Sequence, residues 1–231
     1  NGAGKTTLFN LIAGVLPASA GSIIFKGRQI QGLKPHRIAA LGMSRTFQNI
    51  KLCHGMTALE NVMLGRHVRS RAGLLAAMLN LPRTWKEEKE IRQRAMELLE
   101  LLGIADYAQT EATSLAFGQQ RAVEMARALA TEPELLLLDE PAAGLNIYET
   151  AEVARLITRI RDMRITVLLV EHDMSLVMDI SDEIVVLSFG AKIAEDRPEA
   201  IQKNPEVIRT YLGETEEATP VQEQPAGEAG C

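Results

Sequence analysis

Gly2, Gly4, Lys5, Thr6 and Thr7, in the opening run NGAGKTT, are residue types that suit a chain of phosphates. Converging backbone N–H groups hold phosphate oxygens. That needs glycines where a Cβ would block the approach, and then a helix whose positive end faces the anion. Lys5 would set an ammonium on the outer phosphates and Thr6 a hydroxyl on Mg2+, with Asn1 and Ala3 completing the loop. The full pattern, G-x-x-x-x-G-K-[ST], would put its first glycine two residues before Asn1, so the expectation is a loop cut by the start of the sequence. Taken alone, a glycine turn opening a helix fits the same residues.

Carboxylates come next. Asp139 and Glu140 follow four leucines in ELLLLDEP. One carboxylate at such a place can hold Mg2+, directly or through water, while the other orients and polarises the water that attacks a γ-phosphate. His172, in the EHD that follows ITVLLV, falls on the same predicted edge, where an imidazole can touch the γ-phosphate or serve structure alone. Gln48, after the strand-like GMSRTF, can reach a metal-bound water and a neighbouring domain, or be an ordinary surface amide. In LAFGQQ, the residues Ala116, Phe117, Gly118 and Gln119 read as a second glycine turn leading into a helix. Its N-terminus would present N–H groups to an anion, or be a plain helix start.

The elements that must position these groups are legible from periodicity. LLLL and ITVLLV read as strands buried on both faces of a parallel sheet, which offers ligands its carboxyl edge, with a helix of roughly residues 147–161 between them. Leu8, Leu11, Ile12 and Val15 give the helix after the first loop one apolar side; Val123, Met125, Ala126 and Leu129 do the same after LAFGQQ. Residues 82–103 form an amphipathic helix with Ile91, Ala95, Leu98, Leu99 and Leu102 on one face, and a helix begins at about Thr57. GSIIFKGRQI is a strand of a small antiparallel unit. AGLLAAMLNLP is apolar but too short to cross a bilayer, which leaves a packed helix or a partner-facing surface.

At 231 residues with 46% hydrophobic content and no run of eighteen apolar positions, the chain reads as globular without a membrane-spanning segment. Two distant cysteines, Cys53 and Cys231, suggest no disulfide framework. The net charge of −5 resides in the tail from Glu214, which holds five acidic residues and no basic one and reads as a disordered acidic end over residues 214–231. The remaining body is neutral, so nothing argues for a nucleic-acid surface.

In order, the Gly-Lys-Thr loop, Gln48, LAFGQQ, LLLLDEP with AAGLN behind it, and His172 resemble the ATP-binding subunits of ABC transporters, from Asn1 to about Glu214. Within that family, RTFQNIKL, MTALENV, LDEPAAGLN, EHDMSLVMDISD and VIRTYLGE look like the ATPases of high-affinity branched-chain amino-acid importers. The resemblance implies an α/β, P-loop NTPase fold over residues 1–213, with a mostly parallel sheet, an antiparallel β unit and an α-helical insert at about residues 50–130. It implies ATP and Mg2+, and a second ATPase subunit, identical or related, closing head to tail. Asn1 to Thr7 would then hold phosphates in one chain and Ala116, Phe117, Gly118 and Gln119 approach from the other. Thr6, Asp139 and Gln48 would serve Mg2+, Glu140 act as catalytic base and His172 contact the γ-phosphate. Implied partners are membrane permease subunits, docked near Gln48 and the insert, and indirectly an external substrate-binding protein. The implied place is the cytoplasmic face of the inner membrane.

Two residues depart from the general family pattern. Ala116 stands where a serine is usual, which the branched-chain subgroup shares, and Asn146 stands where many relatives have Asp, which bears on communication between the two ATP sites. The aromatic residue that stacks on adenine and the strand that feeds the phosphate loop would both precede Asn1. The expectation is therefore a fragment of a longer protein that, as written, binds ATP poorly or misfolds. Rivals are an ABC ATPase for urea or lipid export, a non-hydrolysing subunit, and a DNA-repair ATPase, for which the stretch between Gln48 and Leu115 is too short to hold the long coiled coil.

Overall fold

The computed structural model describes residues 2–46, 50–66 and 82–212. Asn1, Gln48, the apolar AGLLAAMLNLP apart from Pro82, and the acidic tail lie outside them. The chain divides into two compact units, one of residues 4–180 and a smaller one of residues 2–3 with 181–212.

In the larger unit, helix α1 (Lys5–Ile12) is followed by a two-residue hairpin, β1 (Ile24–Phe25) and β2 (Arg28–Gln29), which is the antiparallel unit expected around GSIIFKGRQI. Helix α2 (Pro35–Ala40) leads into β3 (Met43–Arg45). Strand β4 (Leu135–Asp139) lies between β3 and β5 (Thr166–Val170), and all three run parallel. Parallel pairing sends Arg45, Asp139 and Val170 to one edge, so the residues just after each strand gather there.

Strand β4 is the buried member, its Leu136, Leu137 and Leu138 fully enclosed, as its leucine run requires. Strand β5 differs from the expectation. It pairs with β4 only among the described residues, its burial alternates, and Leu168 is exposed. A second correction concerns α1 and the turn after it, where Leu8 and Val15 are exposed and Phe9 is the buried residue, in a cluster with Ile30, Ile38, Met43, Leu137 and Val170. The helix packs through the turn that brings Phe9 and Ile12 over the sheet, a face offset from the one that the leucine spacing suggests.

Helices α3 (Ala58–Arg66), α4 (Pro82–Leu101) and α5 (Phe117–Ala130) share one core with β4 and α6 (Ile147–Asp162). Ile91, Ala95, Leu98, Leu99 and Leu102 are buried, as the 3.6-residue period demands, and so are Val123, Met125, Ala126 and Leu129. Gly65 lets α3 approach α5 closely: a Cβ there would lie 2.1 Å from the Arg127 carbonyl oxygen. Helix α7 (Met174–Ile180) closes this unit. The smaller unit pairs β6 (Ile184–Ser188) with β7 (Ala191–Asp196) antiparallel, continues through short helices α8 (Pro198–Ile201) and α9 (Pro205–Val207), and has Gly190 N–H donating to the Ala3 carbonyl at 3.1 Å.

Candidate active site at the carboxyl edge of the parallel sheet

The phosphate-loop residues start with Gly2 (φ 83°), which needs its glycine for backbone conformation; beside it no atom lies within 4 Å of a would-be Cβ. Gly4 (φ 87°) is the left-handed residue from which α1 starts. Thr6 and Thr7 are exposed, Lys5 is half-buried, and Ala3 is buried. An eight-residue helix opening on Lys5, with no acidic residue in its first turn, presents its free N–H groups and a positive end at Lys5 and Thr6.

Asp139 ends β4 almost completely buried. Arg45, at the end of β3, reaches it with Nη2 donating to Oδ2 at 2.9 Å, and with Nη1 donates to Oδ1 of Asn10 on α1 at 2.6 Å. The guanidinium also lies 5.6 Å from the centre of the Phe9 ring. Arg45 thus ties β3, β4 and α1 together at the carboxyl edge. The other Asp139 oxygen, Oδ1, is buried without a hydrogen-bond partner. A buried carboxylate oxygen with no donor is costly unless a cation or water meets it, and Mg2+ is commonly held by one or two carboxylates plus phosphate oxygens and water. Among the described residues no group of three or more His, Cys, Asp or Glu offers a separate metal cage. The unpartnered Asp139 oxygen is thus one that a Mg2+ ion would satisfy.

Glu140 follows with φ 49°, in the left-handed region that a non-glycine residue occupies only under constraint. Its N–H donates to the Val170 carbonyl at 2.8 Å, which extends the β4–β5 ladder one residue past the strand. His172 is exposed at the end of β5, and the preceding Glu171 is buried. Glu171 Oε1 accepts from Ala142 N–H at 2.8 Å and Oε2 from His172 N–H at 3.1 Å. Sequence reasoning passed over both Arg45 and Glu171. The available signal was a charged residue directly at the end of a strand-like run, SRTF in one case and VEHD in the other.

Asp139, Glu140 and His172 are brought to one edge, with α1 linked to Asp139 through Arg45; Gln48 and Asn1 lie outside the described residues. Ala116, Phe117, Gly118 and Gln119 stand elsewhere, at the start of α5. Gly118 is inside the first helical turn and not in a preceding loop, which corrects the expected glycine turn. The Gln119 carboxamide oxygen accepts from Ala116 N–H at 3.1 Å, one half of a capping box whose other half Ala116 has no hydroxyl to supply. The Phe117 ring comes within 3.7 Å of the place a Cβ on Gly144 would take, so this turn leans on the loop after Glu140. That loop ends on Asn146, the N-cap of α6, whose Oδ1 accepts from Tyr148 and Glu149 N–H groups while Glu149 accepts from Asn146 N–H.

Comparisons with known proteins bear on this geometry. The family model described as ABC transporter matches residues 1–143, and that described as branched-chain amino acid ATP-binding cassette transporter matches residues 191–217. The chain is 46% identical over 215 residues to the high-affinity branched-chain amino acid transport ATP-binding protein BraF of Pseudomonas aeruginosa, and covers 93% of this chain and 84% of the relative. It is 44% identical, with the same coverage, to the corresponding protein LivG of Escherichia coli K12. Among solved structures, the ADP conformation of MJ1267, an ATP-binding cassette of an ABC transporter, aligns with TM-score 0.77 at 31% identity, covering 93% of this chain and 85% of that one. The dimeric cassette MJ0796 aligns with TM-score 0.71 at 25% identity, covering 86% and 82%. On these matches the chain belongs to the ATP-binding subunits of ABC transporters.

Proposed function

We propose that the chain energises an importer of branched-chain amino acids. The observation that carries the substrate class is that likeness to the branched-chain subgroup runs past the nucleotide-binding part into residues 191–217, while the identity extends over nearly the whole chain. Transport into proteoliposomes with the cognate membrane subunits is the test: labelled leucine or valine accumulates with ATP and urea does not. Uptake of urea without leucine would assign the subunit to another importer.

In this reading Gly4, Lys5, Thr6 and Thr7 hold the β- and γ-phosphates, with Gly2, Ala3 and Asn1 in the same loop. Mg2+, when bound, neutralises charge on the β- and γ-phosphates; Thr6, Asp139 and Gln48 are the residues to hold it. Glu140 takes a proton from the attacking water and His172 contacts the γ-phosphate. Ala116, Phe117, Gly118 and Gln119 approach the ATP of a second subunit, which makes closure head to tail and turnover dependent on both chains. Placing the base at the end of a rigid buried strand supports this assignment, since the chemistry is mostly positioning and electrostatics. Glu140→Gln is expected to lower turnover by about 100-fold or more while ATP-driven dimerisation persists, read by single-turnover hydrolysis and by mass in solution. Unchanged turnover would remove Glu140 from its role.

The single ATPase domain over residues 1–213 and the acidic tail beyond it belong to the same reading. No helix among the described residues is long and apolar enough to cross a membrane, in keeping with a peripheral subunit on the cytoplasmic face beneath permease partners. A groove of about 390 Å3 lined by Ser44, Arg45, Lys51, Leu64, Glu124 and Arg127 lies between β3, α3 and α5, next in sequence to Gln48, and suits the docking of a permease segment.

A further inference from the structure

We propose that Glu171 is a positioning residue for ATP hydrolysis, fastening the loop of the catalytic base to the loop of the γ-phosphate histidine. The inference rests on the assignments of Glu140 and His172 above.

Glu171 is a carboxylate whose side chain is fully removed from solvent, yet no lysine or arginine forms an ion pair with it among the described residues. Such a group is expensive to keep unless its oxygens are satisfied. Each oxygen has a different task. Oε1 crosses to the loop after β4 and accepts from Ala142 N–H, whereas Oε2 stays in its own loop and accepts from His172 N–H. Oε2 also lies 3.7 Å from Nδ1 of the His172 ring, too far for a hydrogen bond. Bonds from backbone N–H groups to a charged acceptor are among the stronger ones available, so the contact is a stiff one.

The turn that it grips is the one under strain. Glu140 sits at φ 49°, and this turn is held at both ends by the β5 side: Glu140 N–H to the Val170 carbonyl before the bend, Ala142 N–H to Glu171 after it. The strand ladder supplies the first bond whatever the side chains are. The second depends on residue 171 alone. A carboxylate accepts at both oxygens, while a glutamine offers one oxygen and one amide donor, so the isosteric replacement can satisfy Ala142 or His172 but sets N–H against N–H at the other. Without the bridge, the Glu140 turn and the His172 loop lose their common anchor, and the base and the γ-phosphate contact no longer hold one fixed separation. A misplacement of that kind acts on the chemical step and leaves ground-state binding of ATP, which lies with the phosphate loop, untouched.

The experiment measures steady-state ATP hydrolysis by the transporter complex containing the full chain, with parent, E171Q, E171D and E140Q compared. Equilibrium binding of a fluorescent ATP analogue and thermal unfolding are followed on the same preparations. Aspartate keeps the charge but is one methylene too short to span both loops, so it provides a second route if E171Q folds poorly. The expected result is kcat lowered at least tenfold in E171Q and E171D, KM and analogue affinity within twofold of the parent, and an unfolding midpoint within a few degrees. A kcat within twofold of the parent in both variants, or a loss that follows the fraction of unfolded protein or raises KM in step, would overturn the proposal. E140Q separates the two levels. If it keeps parental turnover, the assignment of the base fails and the inference with it; if it is inactive while the position-171 variants turn over normally, only the inference fails.

Discussion

Replacing Arg45 by methionine removes the cation that faces a carboxylate buried at 1% exposure, while keeping an unbranched side chain of similar reach to cover Phe9. The Arg45 side chain itself is 12% exposed, so the pair is mostly enclosed. Breaking a buried pair from one side costs about 3–5 kcal/mol, because the remaining charge keeps its desolvation cost and loses its partner. The slight exposure of Arg45 and the neighbouring Asn10 contact place this case at the lower end, about 3 kcal/mol. With a urea dependence of about 2 kcal/mol per molar, the unfolding midpoint of the R45M variant falls by roughly 1.5 M. Circular dichroism of the urea transition measures it. Two comparisons locate the cause at Asp139. The double variant R45M/D139N recovers most of the loss, since no charge is left buried, and Mg2+ with ATP raises the midpoint of R45M by more than that of the parent. An R45M midpoint indistinguishable from the parent, or a double variant no more stable than R45M, would refute the view that Arg45 is what keeps Asp139 affordable in the core.

Gly65→Ala drives a methyl into the Arg127 carbonyl, forcing α3 and α5 apart, and lowers stability by about 1–3 kcal/mol in thermal unfolding. Asn146→Ala removes the N-cap of α6 and costs about 1 kcal/mol, whereas Asn146→Asp, which keeps the accepting oxygen, stays within a few tenths, so the Asn in place of the usual Asp is neutral for folding. The Thr113 hydroxyl and then the Gly55 N–H donate to the Glu111 carboxylate and hold its pKa below the ordinary range. Such a group contributes stability that is present above its unfolded value of about 4.3 and is lost as pH falls through the depressed folded value. Glu111→Gln therefore shows a shallower loss of stability on acidification below about pH 4.3 than the parent does, read from unfolding midpoints against pH.

The elements that a reader of the sequence finds most easily are those whose side chains report one environment along their whole length. LLLL can only be the enclosed strand β4, and the Ile91–Leu102 stripe can only be the inner face of α4. Asp139, Glu140 and His172 are visible for a related reason, since polar residues directly after apolar strands of a parallel sheet must share an edge. Leu8 and Leu168 mislead because hydrophobicity states what a residue prefers and not what lies opposite it: α1 meets the sheet through Phe9, and β5 has one described neighbour. Arg45 and Glu171 stay hidden because their partners are distant in sequence, Asn10 and Asp139 for one and the Ala142 backbone for the other. No periodicity encodes a bond between loops. Gly118 reads as a turn because glycine usually marks one, but here it is helical, and a Cβ in its place would meet the Glu149 side chain only at ordinary contact distance.

The left-handed backbone at Glu140 sets two selections against each other. A residue with a Cβ held there costs on the order of 1 kcal/mol, which glycine would recover and asparagine would partly recover. In a library carrying every amino acid at position 140, scored once for the yield of folded protein and once for turnover, Glu140→Gly is expected to rank near the top of the first scale and at the bottom of the second. Improvement of this protein by abundance alone would drift toward losing the base proposed at Glu140, and any screen meant to stabilise it has to count phosphate released as well as protein recovered.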